Sequence, residues 1–198
     1  MKDAAGEASD LKEWKLIKNA GSKVLQFMLT SRHCVFCADR RRTILYVCRT
    51  SRTCRNMLAQ LQTQLLARQA TLVAVSKTHP PERIMDLYHQ GQRIFGENRP
   101  QEMQAKYQVL PKDIEWHLIG HLQTNKVRLI APFVRMIHAV DSLRLLQEID
   151  KQAQKNNRVI DCLLQFYIAA EETKFGLDEQ EAADLLRSPE YRAMQHVR

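Results

Sequence analysis

No apolar run in this chain of 198 residues approaches the roughly 20 residues that a helix needs to cross a bilayer. No Gly-x-Gly-x-x-Gly follows any apolar segment, and there is no Gly-Lys-Ser/Thr phosphate loop. Both absences weaken a nucleotide-binding reading. Cysteine is scarce beyond residue 55. Only Cys162 lies there, inside an apolar run, where a buried free thiol is the default. Nothing in this usage calls for an oxidising compartment. The opening Met1-Lys-Asp-Ala-Ala-Gly-Glu has no uninterrupted apolar segment behind it, so a secretory leader is not expected. The expectation is a cytoplasmic protein with no membrane partner.

What is present begins with charge. The net charge of +8 suggests nucleic acid until it is partitioned. Residues 1–55 carry 12 Lys/Arg and 5 Asp/Glu, whereas residues 56–198 carry 18 and 17. The basic character therefore belongs to the N-terminal segment. The remainder makes no electrostatic case for a nucleic-acid partner.

Residues 1–55 form one compositional block, read as a basic, cysteine-bearing N-terminal extension. Lys12 to Leu29 has the spacing of a basic amphipathic helix. Cys34, Cys37, Cys48 and Cys54 follow a C-x2-C-x10-C-x5-C pattern. Four thiolates can complete a tetrahedral zinc site, but the second pair is too widely spaced for a typical zinc knuckle. The other reading is an extension with unpaired thiols.

From Asn56 the texture becomes regular, and residues 56–198 read as one domain. Leucines at 58, 61, 65 and 66 have a helical period. Apolar strand-like runs then alternate with helical segments. The strands are expected at 71–77, 93–98, 114–120, 136–140 and 159–168. The helices are expected at 82–92, 100–109, 125–130, 142–155 and 179–194. Ser142 is suited to N-capping. This alternation predicts parallel strands joined by crossover helices. An open doubly wound sheet and a (β/α)8 barrel both fit it.

The most informative stretch is Thr71-Leu-Val-Ala-Val-Ser-Lys77, followed by Thr78, His79, Pro80 and Pro81. The apolar run reads as a buried strand, and the prolines mark its end and a helix start. Lys77 is therefore expected on the rim of the sheet, where barrel folds place their chemistry. A desolvated lysine there can attack an aldehyde. The competing reading is a solvated terminus that carries its charge to water.

Five segments occur in order. They are Thr71-Leu-Val-Ala-Val-Ser-Lys-Thr78; Phe95-Gly-Glu-Asn98 with Gln101-Glu102; Trp116-His-Leu-Ile-Gly-His-Leu-Gln-Thr-Asn-Lys126; Ile137-His-Ala-Val-Asp-Ser142; and Glu171-Glu-Thr-Lys-Phe-Gly176. Together they resemble the pyridoxal phosphate homeostasis proteins, relatives of the alanine racemase N-terminal domain, over about residues 56–198. The wording is similar to that of bacterial members. The resemblance implies a partial (β/α)8 barrel with five to six of eight parallel strands. It implies pyridoxal 5′-phosphate (PLP) as cofactor, held as a Schiff base on Lys77, with Asn98 and His121 as further cofactor-binding candidates on the rim. It implies a PLP-binding or carrier protein of intracellular vitamin B6 balance without established turnover, and PLP-dependent apo-enzymes as recipients.

Other residues within these segments have blander readings. Asn98 also suits an N-cap or turn, and His121 a loop closure. His117 is expected to be packed and hydrogen-bonded. Gln123, Asn125 and Lys126 have no assigned role, and Lys174 and Gly176 fit a turn.

Gln195-His-Val-Arg198 reads as the start of a sixth strand. The resemblance implies three more strands with the loops that hold the PLP phosphate. The expectation is therefore that residues 1–198 alone bind PLP poorly. Two other readings stay open: a racemase-like PLP enzyme, and a non-functional fragment carrying a basic interaction segment.

Overall fold

A computed structural model describes residues 70–166 and 176–198. It also describes a few positions before them. The chain divides into two compact units, Met1–Leu72 and Val73–Arg198.

In the first unit the backbone forms three short antiparallel strands: β1 (Leu25–Phe27), β2 (Val35–Ala38) and β3 (Thr43–Val47). Phe27 pairs with Phe36, and Cys37 pairs with Ile44. Leu25–Phe27, inside the helix expected over Lys12–Leu29, is strand, because ladder pairing outweighs local spacing there. The rest of that expected helix lies outside the described residues. Residues 58, 62, 63 and 65 are helical, in line with the leucine period. The side chains of Cys34, Cys37, Cys48 and Cys54 lie outside the described residues.

The second unit is built on parallel strands in sequence order. β4 (Ala70–Val75) pairs with β5 (Ile94–Glu97), β5 with β6 (Glu115–Leu118), β6 with β7 (Val134–Val140), and β7 with β8 (Asp161–Leu164). Val197 adds a parallel bridge to Ile160. Two ladder bonds, Ile160 N–H to the His196 carbonyl and Cys162 N–H to the Arg198 carbonyl, extend it. The expected start of a sixth strand is thus present. A doubly wound sheet reverses its strand order at a switch point. Here the order never reverses, and right-handed crossovers then put every helix on one face. The result is a partial (β/α)8 barrel.

The helices are α1 (Pro81–Tyr88), α2 (Pro100–Val109), α3 (Val127–Ile130), α4 (Leu143–Lys155), α5 (Glu179–Arg187) and α6 (Pro189–Ala193). Their apolar sides pack on one face of the sheet. Phe95, Trp116, Leu118 and Ile137 from the strands meet Ile84, Met103, Val127, Ile130, Leu145 and Ile149 from the helices. Alternation sends the residues between them to the inner face. There Gly96 leaves room for Val73 and Ile119, whose side chains would lie 3.1 and 3.3 Å from an added Cβ.

Several boundaries differ from the sequence reading by a few residues. Among them, the helix expected over 82–92 ends at Tyr88, and the strand expected over 159–168 spans Asp161–Leu164. Two further differences have a local cause. The last helix is two helices, split at Ser188 and Pro189. Proline disfavours helical backbone in the residue before it. Ser188 is accordingly extended, and its Oγ caps the second helix through the Tyr191 N–H. The segment expected to be helical over 125–130 opens instead as a 3-10 turn, Thr124–Lys126.

Candidate functional site

Lys77, Asn98 and His121 each follow the C-terminal end of a strand: β4, β5 and β6. The structure therefore places all three expected residues on one rim of the second unit. Lys77 is half-buried, whereas Asn98 and His121 are exposed.

The Lys77 turn is held from both sides. Ser76 continues the ladder through its N–H to the Gly96 carbonyl at 2.9 Å. Its side chain is buried on the helix side, so alternation puts Lys77 on the inner face. The His79 N–H then donates to the Ser76 carbonyl at 3.0 Å and closes a turn over Lys77 and Thr78. Thr78 has φ 64. A β-branched residue in this left-handed region is unusual and costs about 1–3 kcal/mol.

Beneath the turn sits a buried ionic cluster that the sequence reading assigned no role. Lys106 Nζ donates to the Ser76 carbonyl at 2.8 Å, to Glu97 Oε1 at 2.7 Å and to Glu102 Oε1 at 2.7 Å. Ser76 Oγ donates to Glu97 Oε1 at 2.6 Å, and the Thr78 N–H donates to Glu102 Oε1 at 2.8 Å. Glu97 is fully buried, and its Oε2 has no partner among the described residues. Burial pushes its carboxyl above the usual range despite hydrogen bonds from Lys106 and Ser76. Burial also acts to raise Glu102, but hydrogen bonds from Lys106 and from the Thr78 N–H hold it below that range. The i,i+4 spacing of Glu102 and Lys106 was the available signal. Spacing alone leaves such a pair on the solvent side.

The other two rim residues rest on close backbone contact and on an ion pair. A Cβ on Gly120 would lie 2.5 Å from the Asn98 carbonyl oxygen and 3.0 Å from its Cα. Only a glycine lets the ends of β5 and β6 approach this closely. His121 Nδ1 lies 3.1 Å from Asp141 Oδ2, beyond β7. Asp141 Oδ1 accepts from Ser142 Oγ, the cap of α4. His121, Gln123, Thr124, Asn125, Asp141 and Ser142 line a solvent-open cleft of about 470 Å³.

On the inner face, His117 and His138 are both buried, and their ring nitrogens lie 3.0 Å apart. The expected packed, hydrogen-bonded His117 is found; its partner His138 was not foreseen. Lys174 lies outside the described residues. Gly176 has φ 149, a backbone that favours glycine. No helix among the described residues is long and apolar enough to cross a membrane.

A family profile described as "Alanine racemase, N-terminal domain" matches residues 52–197. A pyridoxal phosphate homeostasis protein of Aquifex aeolicus is 45% identical over 117 residues, 59% of this chain and 51% of that protein. One from Schizosaccharomyces pombe is 32% identical over 141 residues, 70% of this chain and 60% of that protein. This chain thus spans about half the length of the curated relatives it matches. Among solved structures, PipY of Synechococcus elongatus with PLP bound superposes with a TM-score of 0.63 at 38% identity, over 73% of this chain and 66% of that one. With the parallel strand order and the match across residues 52–197, this chain belongs to the alanine racemase N-terminal domain family.

Proposed function

We propose that this chain binds PLP and serves intracellular PLP homeostasis, with Lys77 as the covalent anchor. The observation that carries the reading is the position of Lys77, half-buried at the C-terminal end of β4 on the inner face of a parallel barrel. An aldehyde cofactor needs a primary amine on a rigid element, and the turn around Lys77 is tied down on both sides. The names of the relatives and the PLP bound to PipY support the same cofactor. When bound, PLP supplies an electrophilic aldehyde and a conjugated ring.

Lys77 Nζ would hold that aldehyde as a Schiff base, with loss of one water. Asn98, beside Lys77 on the neighbouring strand end, would face the ring. His121 would bound the rim on the β6 side, oriented by Asp141. The chain would hold and release PLP to apo-enzymes in the cytoplasm rather than turn over a substrate of its own.

Absorbance titration with PLP, borohydride trapping and peptide mapping test this reading. Residues 1–198 alone are expected to bind PLP weakly, so the expected result is partial labelling at high PLP with one adduct, on Lys77, that disappears in Lys77→Ala. Adducts scattered over surface lysines would overturn it. Racemisation of an amino acid by the PLP-loaded chain would overturn the carrier part alone.

A further inference from the structure

We infer that Glu102 and Lys106 of α2, with Glu97, form a positioning clamp that sets the direction of Lys77 by holding the backbone of its two neighbours. This inference rests on the proposed role of Lys77 and adds residues to it.

Three observations carry it. First, both residues flanking Lys77 are tethered to the same cluster. The Ser76 carbonyl accepts from Lys106 Nζ at 2.8 Å, and the Thr78 N–H donates to Glu102 Oε1 at 2.8 Å. The peptide groups on both sides of Lys77 are thereby held. Second, Thr78 sits at the third position of a turn with φ 64, where glycine or asparagine is usual. A threonine stays there only when its surroundings over-determine it. The carboxylate on its N–H does this. Third, the three donors of the Lys106 ammonium are all used, on Ser76, Glu97 and Glu102. Its side chain is only 6% exposed. Apolar residues of similar volume commonly replace a buried ion pair without loss of stability. Stability alone therefore does not account for this cluster, whereas positioning the Lys77 turn does.

The clamp also links two of the proposed cofactor contacts. α2 begins at Pro100, two residues beyond Asn98, and carries Glu102 in its first turn and Lys106 about one turn further on. One helix thus fixes the backbone on both sides of the Lys77–Asn98 pair of strand ends.

The test compares Glu102→Ala with Glu102→Gln, which keeps an acceptor for the Thr78 N–H, both in the 198-residue chain. Leu185→Ala, on α5 in the apolar core, serves as a destabilised control. The first readout is the rate at which trinitrobenzenesulfonate labels Lys77 relative to Lys126, as a function of pH and without PLP. The second is PLP trapping on Lys77. Glu102→Ala is expected to change the labelling ratio and to weaken trapping by about tenfold. Glu102→Gln should restore both, and Leu185→Ala should leave both unchanged. A labelling ratio in Glu102→Ala equal to that of the unmodified chain overturns the clamp, as does an equal loss in Leu185→Ala. If the unmodified chain traps no PLP on Lys77, the PLP reading fails, and the labelling ratio still decides the clamp.

Discussion

His138 Nε2 lies 3.0 Å from His117 Nδ1 across neighbouring strands β7 and β6, with both rings buried on the inner face. One of these nitrogens carries the proton and the other accepts it; burial disfavours charge on either ring, and a proton on both would set two donors against each other. Burial pushes His117 down to about 3, and the nearby Arg135 charge adds to the effect. His138 is held well below its ordinary value by burial and then by His117.

The stability of the chain should therefore fall in mild acid. For a group whose folded value is depressed, the unfolded chain binds the proton first. The stabilisation is present above the ordinary histidine value and is lost as pH falls toward the folded one. Each ring contributes a slope of up to about 1.4 kcal/mol per pH unit below about 6.5. Urea unfolding between pH 7 and 5 should show this loss, and His117→Gln should remove about half of the slope. Glu97 acts in the opposite sense, since its raised value favours the protonated folded state and its contribution fades as pH rises. The variant comparison isolates the histidines from it. An unchanged slope in His117→Gln would show that the pair is not the source.

Gly120→Ala should destabilise the chain by steric conflict. The new Cβ meets backbone atoms of Asn98 at 2.5 and 3.0 Å, and backbone does not yield as a flexible side chain does. The expected loss is about 1–3 kcal/mol by overpacking, together with displacement of Asn98. Gly91→Ala is a useful contrast, because Gly91 has φ 93 and nothing within 4 Å of its added Cβ. Its cost should come from backbone strain and leave PLP trapping on Lys77 untouched. Thermal unfolding of both variants, with trapping as the second readout, checks this.

Cys162 should resist thiol reagents while the chain is folded. Burial pushes its thiol up to about 12, with Asp161 and Asp150 adding to the effect. The thiolate is the nucleophile, so labelling by an aromatic disulfide at pH 8 should be about a hundredfold or more slower than in urea. Peptide mapping identifies Cys162 among the five cysteines. Rapid modification of the folded chain at this half-buried residue would contradict the raised thiol value.

Much of the second unit was legible from local pattern. The 100–109 helix is found over the same residues, and Ser142 caps α4 as expected. These features depend on periodicity, proline placement and capping chemistry, which act over a few residues. The misread boundaries involve competition between neighbours. At Ser188 a proline effect and a capping hydroxyl together outweigh a continuous helical period. At Leu25–Phe27 a partner strand outweighs local spacing.

Glu97 and Lys106 show where local reading ends. Nothing in Phe95-Gly-Glu-Asn98 distinguishes a rim carboxylate facing water from one that is fully buried. That depends on whether a lysine nine residues later turns inward, and Lys106 does so because Ser76, 30 residues earlier, offers it a carbonyl.

By itself, then, the sequence determined the alternation of strands and helices, the placement of Lys77 at a strand end, and the family. All of these follow from short-range chemistry and from ordered motifs. Only the tertiary structure decided between the doubly wound sheet and the barrel, because strand order is a matter of pairing. It alone joined His117 to His138, His121 to Asp141, and Ser76 and Thr78, on either side of Lys77, to Lys106 and Glu102 of α2. Those contacts link residues 20 or more positions apart, or bury charges that only a folded core can pair.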